Sequence, residues 1–200
     1  MNNKFKIIPI FPEAVVYNVK LDLNSEEIIS HLNTLNFNTI NKQCVCYVSE
    51  NFNILDEFIS LKQQIELHVK NYLYEVFEYK MDYKFLNSWA TKTNKEGYDV
   101  RHSHCNTFLS GVYYPKANEN FKIIFYKKKS EFWNINCNKY NEFNSKELFF
   151  NIEEDNTLLL FPSDLEHSIA RNNSNLTRYS IAFNINPKGY IGEGDTKVFF

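Results

Sequence analysis

Three of the five histidines in this 200-residue chain, His102, His104 and His167, fall in its second half, where short strand-like runs dominate. Side chains two residues apart on a β-strand project to the same face, so His102 and His104 can turn both imidazoles toward one point. Converging imidazoles are a metal-ligand arrangement. His167 follows the apolar run Thr157–Phe161 and the turn Pro162-Ser163-Asp164, and is placed to bring a third imidazole from a neighbouring strand. Without a metal, the same His-x-His is a solvated strand edge or a satisfied core pair, and the motif alone does not choose between these readings.

Eleven residues beyond His167 stands Arg178, opening an alternating run through Asn184. Arg178 and Ser180 share one face of that strand, and Tyr179, Ile181 and Phe183 the other. An arginine on an interior face needs an anionic partner, because an unpaired buried charge is costly. No carboxylate stands at matching spacing. A ligand carboxylate, gripped by the planar guanidinium with a serine hydroxyl beside it, would meet the need; an outward arginine in a salt bridge is the other reading. Only three of the 22 basic residues are arginine (Arg101, Arg171, Arg178), against 28 asparagines in the chain. Such Asn, Lys and Ile richness points to AT-rich coding. Where lysine is the default cation, an arginine marks a place that uses its fork.

The elements that must position these groups divide the chain into a helical front and a strand-rich back. Residues 4–21 carry two apolar runs, Lys6–Phe11 and Ala14–Leu21, read as strands. Asn24-Ser25-Glu26-Glu27 is a helix start of capping-box type, with Ile28, Ile29, Leu32 and Leu35 as the apolar face through about Asn36. A longer helix is expected from about Ile54 to Tyr79, on an apolar three- and four-residue spacing from Leu55 to Val76. His31 and His68 read as ordinary residues of these two helices. After Met81 come seven runs of strand type: Phe85–Thr93, Val100–His104, Phe108–Tyr114, Phe121–Lys127, Glu147–Ile152, Thr157–Phe161 and Tyr179–Ile185. With no helical period between them, they argue an antiparallel sandwich or barrel. The Asn-rich stretch Glu131–Ser145 reads as a long loop over one mouth of it.

Composition excludes several classes. A net charge of −2 builds in no attraction to nucleic acid or anionic lipid, and Lys127-Lys128-Lys129 reads as a solvated strand end. No apolar run reaches the roughly 18–20 residues of a membrane span, and the N-terminus has no signal-peptide pattern. Four cysteines without paired C-x₂-C spacing make neither a disulfide scaffold nor a zinc ribbon, and a cytoplasmic setting is expected. The whole chain is expected to be one domain, 1–200, with 1–80 as support and 81–192 as the β core.

In order, these residues resemble the Fe(II)/2-oxoglutarate-dependent oxygenases, and more narrowly a small family of them from bacteria and phages. The resemblance is carried by Arg101-His102-Ser103-His104-Cys105-Asn106, Leu109–Tyr114, Leu158–His167, Arg178–Asn184 and the closing Gly189-Tyr190-Ile191-Gly192. It implies a mainly β fold, a double-stranded β-helix (jelly roll, cupin-like) flanked by two N-terminal helices. Matched position by position, it implies that His102 and His167 bind iron and that Arg178 pairs with the distal carboxylate of 2-oxoglutarate. Ser180 and Tyr114 are implied to assist Arg178, and Trp89 and Tyr98 to line the substrate mouth or fill core. The larger superfamily has Asp or Glu where this chain has His104. His104 is then a third neutral ligand, or it stands behind the ligands while Asp164, Asp99 or no carboxylate completes the set. The implied reaction takes Fe(II), 2-oxoglutarate, O₂ and an unknown substrate, peptidyl or prolyl by analogy, to a hydroxylated product, succinate and CO₂. Two other expectations stay open: a cupin-like metal-binding protein without turnover, and a three-histidine zinc enzyme.

Overall fold

The computed structural model describes residues 14–41, 44, 46–128 and 135–200; the expected strand Lys6–Phe11, Lys129 and the first part of the Asn-rich loop lie outside them. The front half is β1 (Tyr17–Lys20), helix α1 (Ser25–Leu32), the hairpin β2 (Phe37–Asn41) and β3 (Cys46–Ser49), and helix α2 (Ile59–Lys70). Asn24 caps α1 by accepting the Glu26 N–H and donating its own amide to Glu27 at 2.9 Å. The helix stops at Leu32, earlier than its apolar pattern predicts. The expected single helix over 54–79 is three pieces: a 3₁₀ turn (Ile54–Glu57), α2, and a wider π-type turn (Asn71–Val76). Leu61, Ile65 and Val69 keep the buried stripe through α2, and Tyr72 and Leu73 continue it. The extra residue per turn then rotates Val76 out to 48% exposure, which is why the sequence period overruns the regular helix.

The back half is β4 (Asp82–Thr93), β5 (Asp99–His102), β6 (Leu109–Tyr114), β7 (Lys122–Tyr126), β8 (Glu147–Asn151), β9 (Thr157–Pro162), β10 (His167–Ile169) and β11 (Arg178–Lys188). A small terminal ribbon, β12 (Tyr190–Ile191) with β13 (Val198–Phe199), follows. The strands pair antiparallel in a seven-stranded sheet, β1-β9-β6-β11-β4-β3-β2, and a four-stranded sheet, β5-β10-β7-β8. The chain passes repeatedly between the two sheets, and that is the double-stranded β-helix the resemblance implies.

Alternation on the large sheet feeds two separate cores. Leu109, Tyr113, Leu158, Leu160, Ile181 and Phe183 pack with the helices. Val112, Tyr114, Leu159 and Phe161 face the small sheet, with Ile123 and Phe125 across from them. Gly111 lies where a Cβ would come within 2.2 Å of the Phe183 ring, so a glycine is needed for that ring to lie against β6. In β4, Asn184 of β11 faces Asn87 while Ile185 faces Phe85, leaving Leu86 as an extra residue, a β-bulge. The bulge sends Phe85 to the helix side and Asn87 to the barrel interior, although they are only two residues apart.

Candidate metal centre

His102, His104 and His167 offer ligand atoms that all lie within 4.8 Å of one another. His102 ends β5, and His167 opens β10 directly opposite it in the ladder. The sequence expectation that His102 and His104 share a strand face needs a correction. β5 ends at His102, and the chain has left the strand at His104, whose N–H donates to Ser163 O at 2.9 Å. The convergence comes from this departure, and the His102 and His104 rings lie 5.3 Å apart and nearly parallel.

Each ring has one nitrogen occupied. Nδ1 of His102 faces Val100 O at 2.8 Å, Nδ1 of His167 faces Leu165 O at 2.9 Å, and Nδ1 of His104 faces Asn184 Oδ1 at 2.7 Å. All three partners accept, so each Nδ1 is the protonated nitrogen and each Nε2 keeps a lone pair. Burial favours the neutral form of two of these rings: it pushes His167 down to about 4, and His104 is lowered chiefly for the same reason. Neutral, preoriented imidazoles sharing one tautomer suit a divalent cation.

No carboxylate joins the group among the described residues. Asp164 is turned outward and paired with Lys128. Asp99 lines the same cavity, with Oδ1 accepting the Val100 N–H at 2.8 Å, but is not among the clustered ligand atoms. The ligand-type atoms that cluster among the described residues are those of the three histidines.

The cavity holding the histidines encloses about 550 Å³ of empty space, its open mouth included. Arg178, Tyr114 and Ser180 all line it. Arg178 is 2% exposed. Its Nη1 donates to Ala170 O at 3.2 Å and its guanidinium lies over Phe121, yet Nη2 has no partner. The Tyr114 hydroxyl is also buried and unpartnered, and its ionisation is pushed up to about 12 by burial, with Arg178 opposing. Two unpartnered donors, one of them on the buried cation itself, suit an anionic acceptor. The Ser180 hydroxyl is 2.6 Å from Thr91 Oγ1, and both residues line the cavity.

Trp89 lines the cavity, its ring 5.7 Å from that of His104. Tyr98 instead stacks under Arg171. His31 pairs with Glu57 and His68 with Tyr17, both away from the site. Sequence reasoning missed Asn184. Its signal was available: Asn184 is six residues past Arg178 on an uninterrupted strand, so it shares the Arg178 face.

Residues 87–184 match a family model described as "Putative 2OG-Fe(II) oxygenase". No curated protein matches the chain. Among solved structures, HygX from Streptomyces hygroscopicus with nickel and 2-oxoglutarate bound superposes with a TM-score of 0.62 at 11% identity, covering 86% of this chain and 82% of that one. A prolyl hydroxylase from Trichoplax adhaerens, in complex with a hypoxia inducible factor peptide fragment, gives 0.60 at 13% identity, with the same coverage of 86% and 82%. A Pseudomonas putida prolyl-4-hydroxylase gives 0.56 at 11% identity, covering 87% of this chain and 93% of that one. At these identities the likeness is one of fold.

Proposed function

Because the chain belongs to the 2OG-Fe(II) oxygenase family through residues 87–184, we propose that it is an Fe(II)- and 2-oxoglutarate-dependent dioxygenase that hydroxylates its substrate. In this reading His102, His104 and His167 hold the metal, and Arg178 with Tyr114 receives the distal carboxylate of 2-oxoglutarate. The Ser180 hydroxyl, paired with Thr91, assists that contact. The observation that carries the reading is the pair of orphaned donors, Arg178 Nη2 and Tyr114 Oη, lining the same cavity as three histidines with free Nε2 atoms. Simple metal-assisted hydration has no use for a buried carboxylate clamp.

When bound, the iron with 2-oxoglutarate and O₂ supplies oxidative decarboxylation to succinate and CO₂ and the hydroxylation of a substrate C–H. The protein's own groups bind, orient and exclude. Three Nδ1–H bonds fix the imidazoles, so the donor set is preorganised and neutral. Arg178 fixes the cosubstrate's length axis, and its burial strengthens that contact by keeping water out. Val112, Ile123 and Phe161 wall the cavity with apolar surface. Trp89, beside His104, faces incoming substrate. A peptidyl, prolyl-type substrate is favoured by analogy with the prolyl hydroxylases that share the fold. The absence of a membrane-length apolar helix among the described residues and four unbridged cysteines support a cytoplasmic setting.

The test is anaerobic addition of Fe(II) and 2-oxoglutarate to the purified chain, followed by O₂. The expected result is a weak visible charge-transfer band, then succinate formation lost in Arg178→Ala. No band and no succinate would leave a metal-binding protein without turnover. Tight zinc binding with activity indifferent to Arg178→Ala would make it a three-histidine zinc enzyme.

A further inference from the structure

We propose that Asn184 is the positioning residue that makes His104 a metal donor, its side-chain carbonyl setting the tautomer and ring angle of His104. This rests on reading the three histidines as a metal site. His102 and His167 take their Nδ1 partners from backbone carbonyls two residues before them, on their own strand or the turn leading into it. His104 lies beyond the end of β5 and has no such partner. It relies on a side chain 80 positions away in sequence.

That side chain is part of a polar row crossing four neighbouring strands of the large sheet. Ser163, just past β9, is 2.8 Å from Ser110 of β6 (Oγ to Oγ). The Ser110 hydroxyl lies 2.8 Å from Asn184 Oδ1 on β11 and 3.2 Å from His104 Nδ1. Asn184 Nδ2 donates to Asn87 Oδ1 on β4 at 3.0 Å. The last bond points the Asn184 amide one way: Nδ2 toward Asn87, carbonyl toward His104. Asn87 stands opposite Asn184 in the ladder, in phase with Trp89 and Thr91 further along β4.

Ser163, Ser110 and Asn184 are 0%, 1% and 5% exposed. Apolar residues of similar shape would serve such positions about as well in a purely structural sheet, whereas a buried polar row is penalised as soon as one member loses its partner. The row ends on the Nδ1–H of one imidazole, and holding that ring is the function its placement serves. His104, the histidine standing where the superfamily has a carboxylate, thereby gains a fixed Nε2 lone pair.

The experiment is cobalt(II) titration of the purified full-length chain, read by visible absorption, with the melting midpoint of the metal-free protein measured in parallel. Asn184→Leu keeps the branched shape and removes the acceptor; cobalt affinity is expected to fall about 10- to 100-fold. Asn184→Asp keeps an acceptor oxygen in place and is expected to restore most of that affinity, a rescue that a merely structural role would not produce. If Asn184→Leu does not fold, Asn184→Ala, which leaves room for water, takes its place in the comparison. Parent-like cobalt affinity in the leucine or alanine variant, or a loss in Asn184→Asp as large as theirs, overturns the proposal alone. Failure of the parent chain to bind cobalt overturns it together with the metal reading.

Discussion

Replacing Arg178 with methionine should make the ligand-free protein more stable and nearly blind to 2-oxoglutarate. The guanidinium is 2% exposed, with one hydrogen bond to Ala170 O and an unpartnered Nη2. Exchanging buried charge for apolar volume often gains about 1–4 kcal/mol. The lost Ala170 bond takes back about 1 kcal/mol. Tyr114 stays orphaned in either form, so its cost cancels. A net gain of about 0–3 kcal/mol in a domain of this size raises the melting midpoint by up to about 12 °C. The cosubstrate effect has the opposite sign. Removing one side of a buried, hydrogen-bonded charge pair costs about 2–5 kcal/mol of binding, roughly 30-fold to several thousand-fold in Kd. Thermal melts with nickel in place of iron, with and without 2-oxoglutarate, read both quantities without turnover. At a hundredfold excess over Kd the parent should gain about 2.7 kcal/mol from the ligand, and the variant at the same concentration less than about 1 kcal/mol. A variant that melts lower than the parent and keeps the full ligand shift would refute the reasoning and make Arg178 a structural residue.

Metal-free protein should lose stability on acidification. Burial holds the His167 pKa near 4 against 6.5 in the unfolded chain, so the unfolded state takes up the proton first. Stability is then complete above about 6.5, falls as the pH drops to about 4, and loses about 3 kcal/mol across that window; chemical denaturation along a pH series checks this, and a flat profile counts against it. Gly111→Ala drives a methyl into the Phe183 ring, so a loss of about 1–3 kcal/mol is expected. Calorimetry should find part of it recovered in the double variant with Phe183→Leu. Asp164→Asn should leave metal affinity unchanged, because this carboxylate is turned outward to Lys128; weakened cobalt binding would return Asp164 to the candidate ligand set.

The strands of the back half and the shared face of Arg178 and Ser180 are legible in the sequence, because period-two alternation is local and every β11 residue obeys it. The His102–His104 pair was found for a reason that is only half right. The spacing is real, but the rings meet because the chain turns off the strand at His104 to bond Ser163, 59 positions on. The three-residue strand β10 and the hairpin β2–β3 were invisible, being too short to show a period of their own and held by partners far along the chain. The end of the second helix was misjudged because a π-type turn changes the period without changing the residue types. Whether a carboxylate completes the ligand set depended on where Asp99 and Asp164 point, which is set by tertiary contacts. The Arg178 neighbourhood was legible as a need for an anion; that Tyr114 shares the need follows only from its burial beside it.

The extra residue at Leu86 makes β4 a ribbon written in two phases. Before it, odd-numbered positions such as Tyr83 and Phe85 pack toward the helices; after it, odd-numbered positions such as Asn87 and Trp89 belong to the barrel. Parity along this strand is therefore reset once, at the bulge. Deleting Leu86 would make Phe85 and Asn87 consecutive, each still opposite its present partner, Ile185 or Asn184, which are themselves consecutive on β11. Neither the aromatic pair nor Asn87, Trp89 and Thr91 would change sides. The deletion would instead turn a bulged ladder into a plain one, with the same side chains on the helix core and the cavity. The extra residue thus sets the local bend and twist of β4, and leaves the choice of face to the ladder with β11.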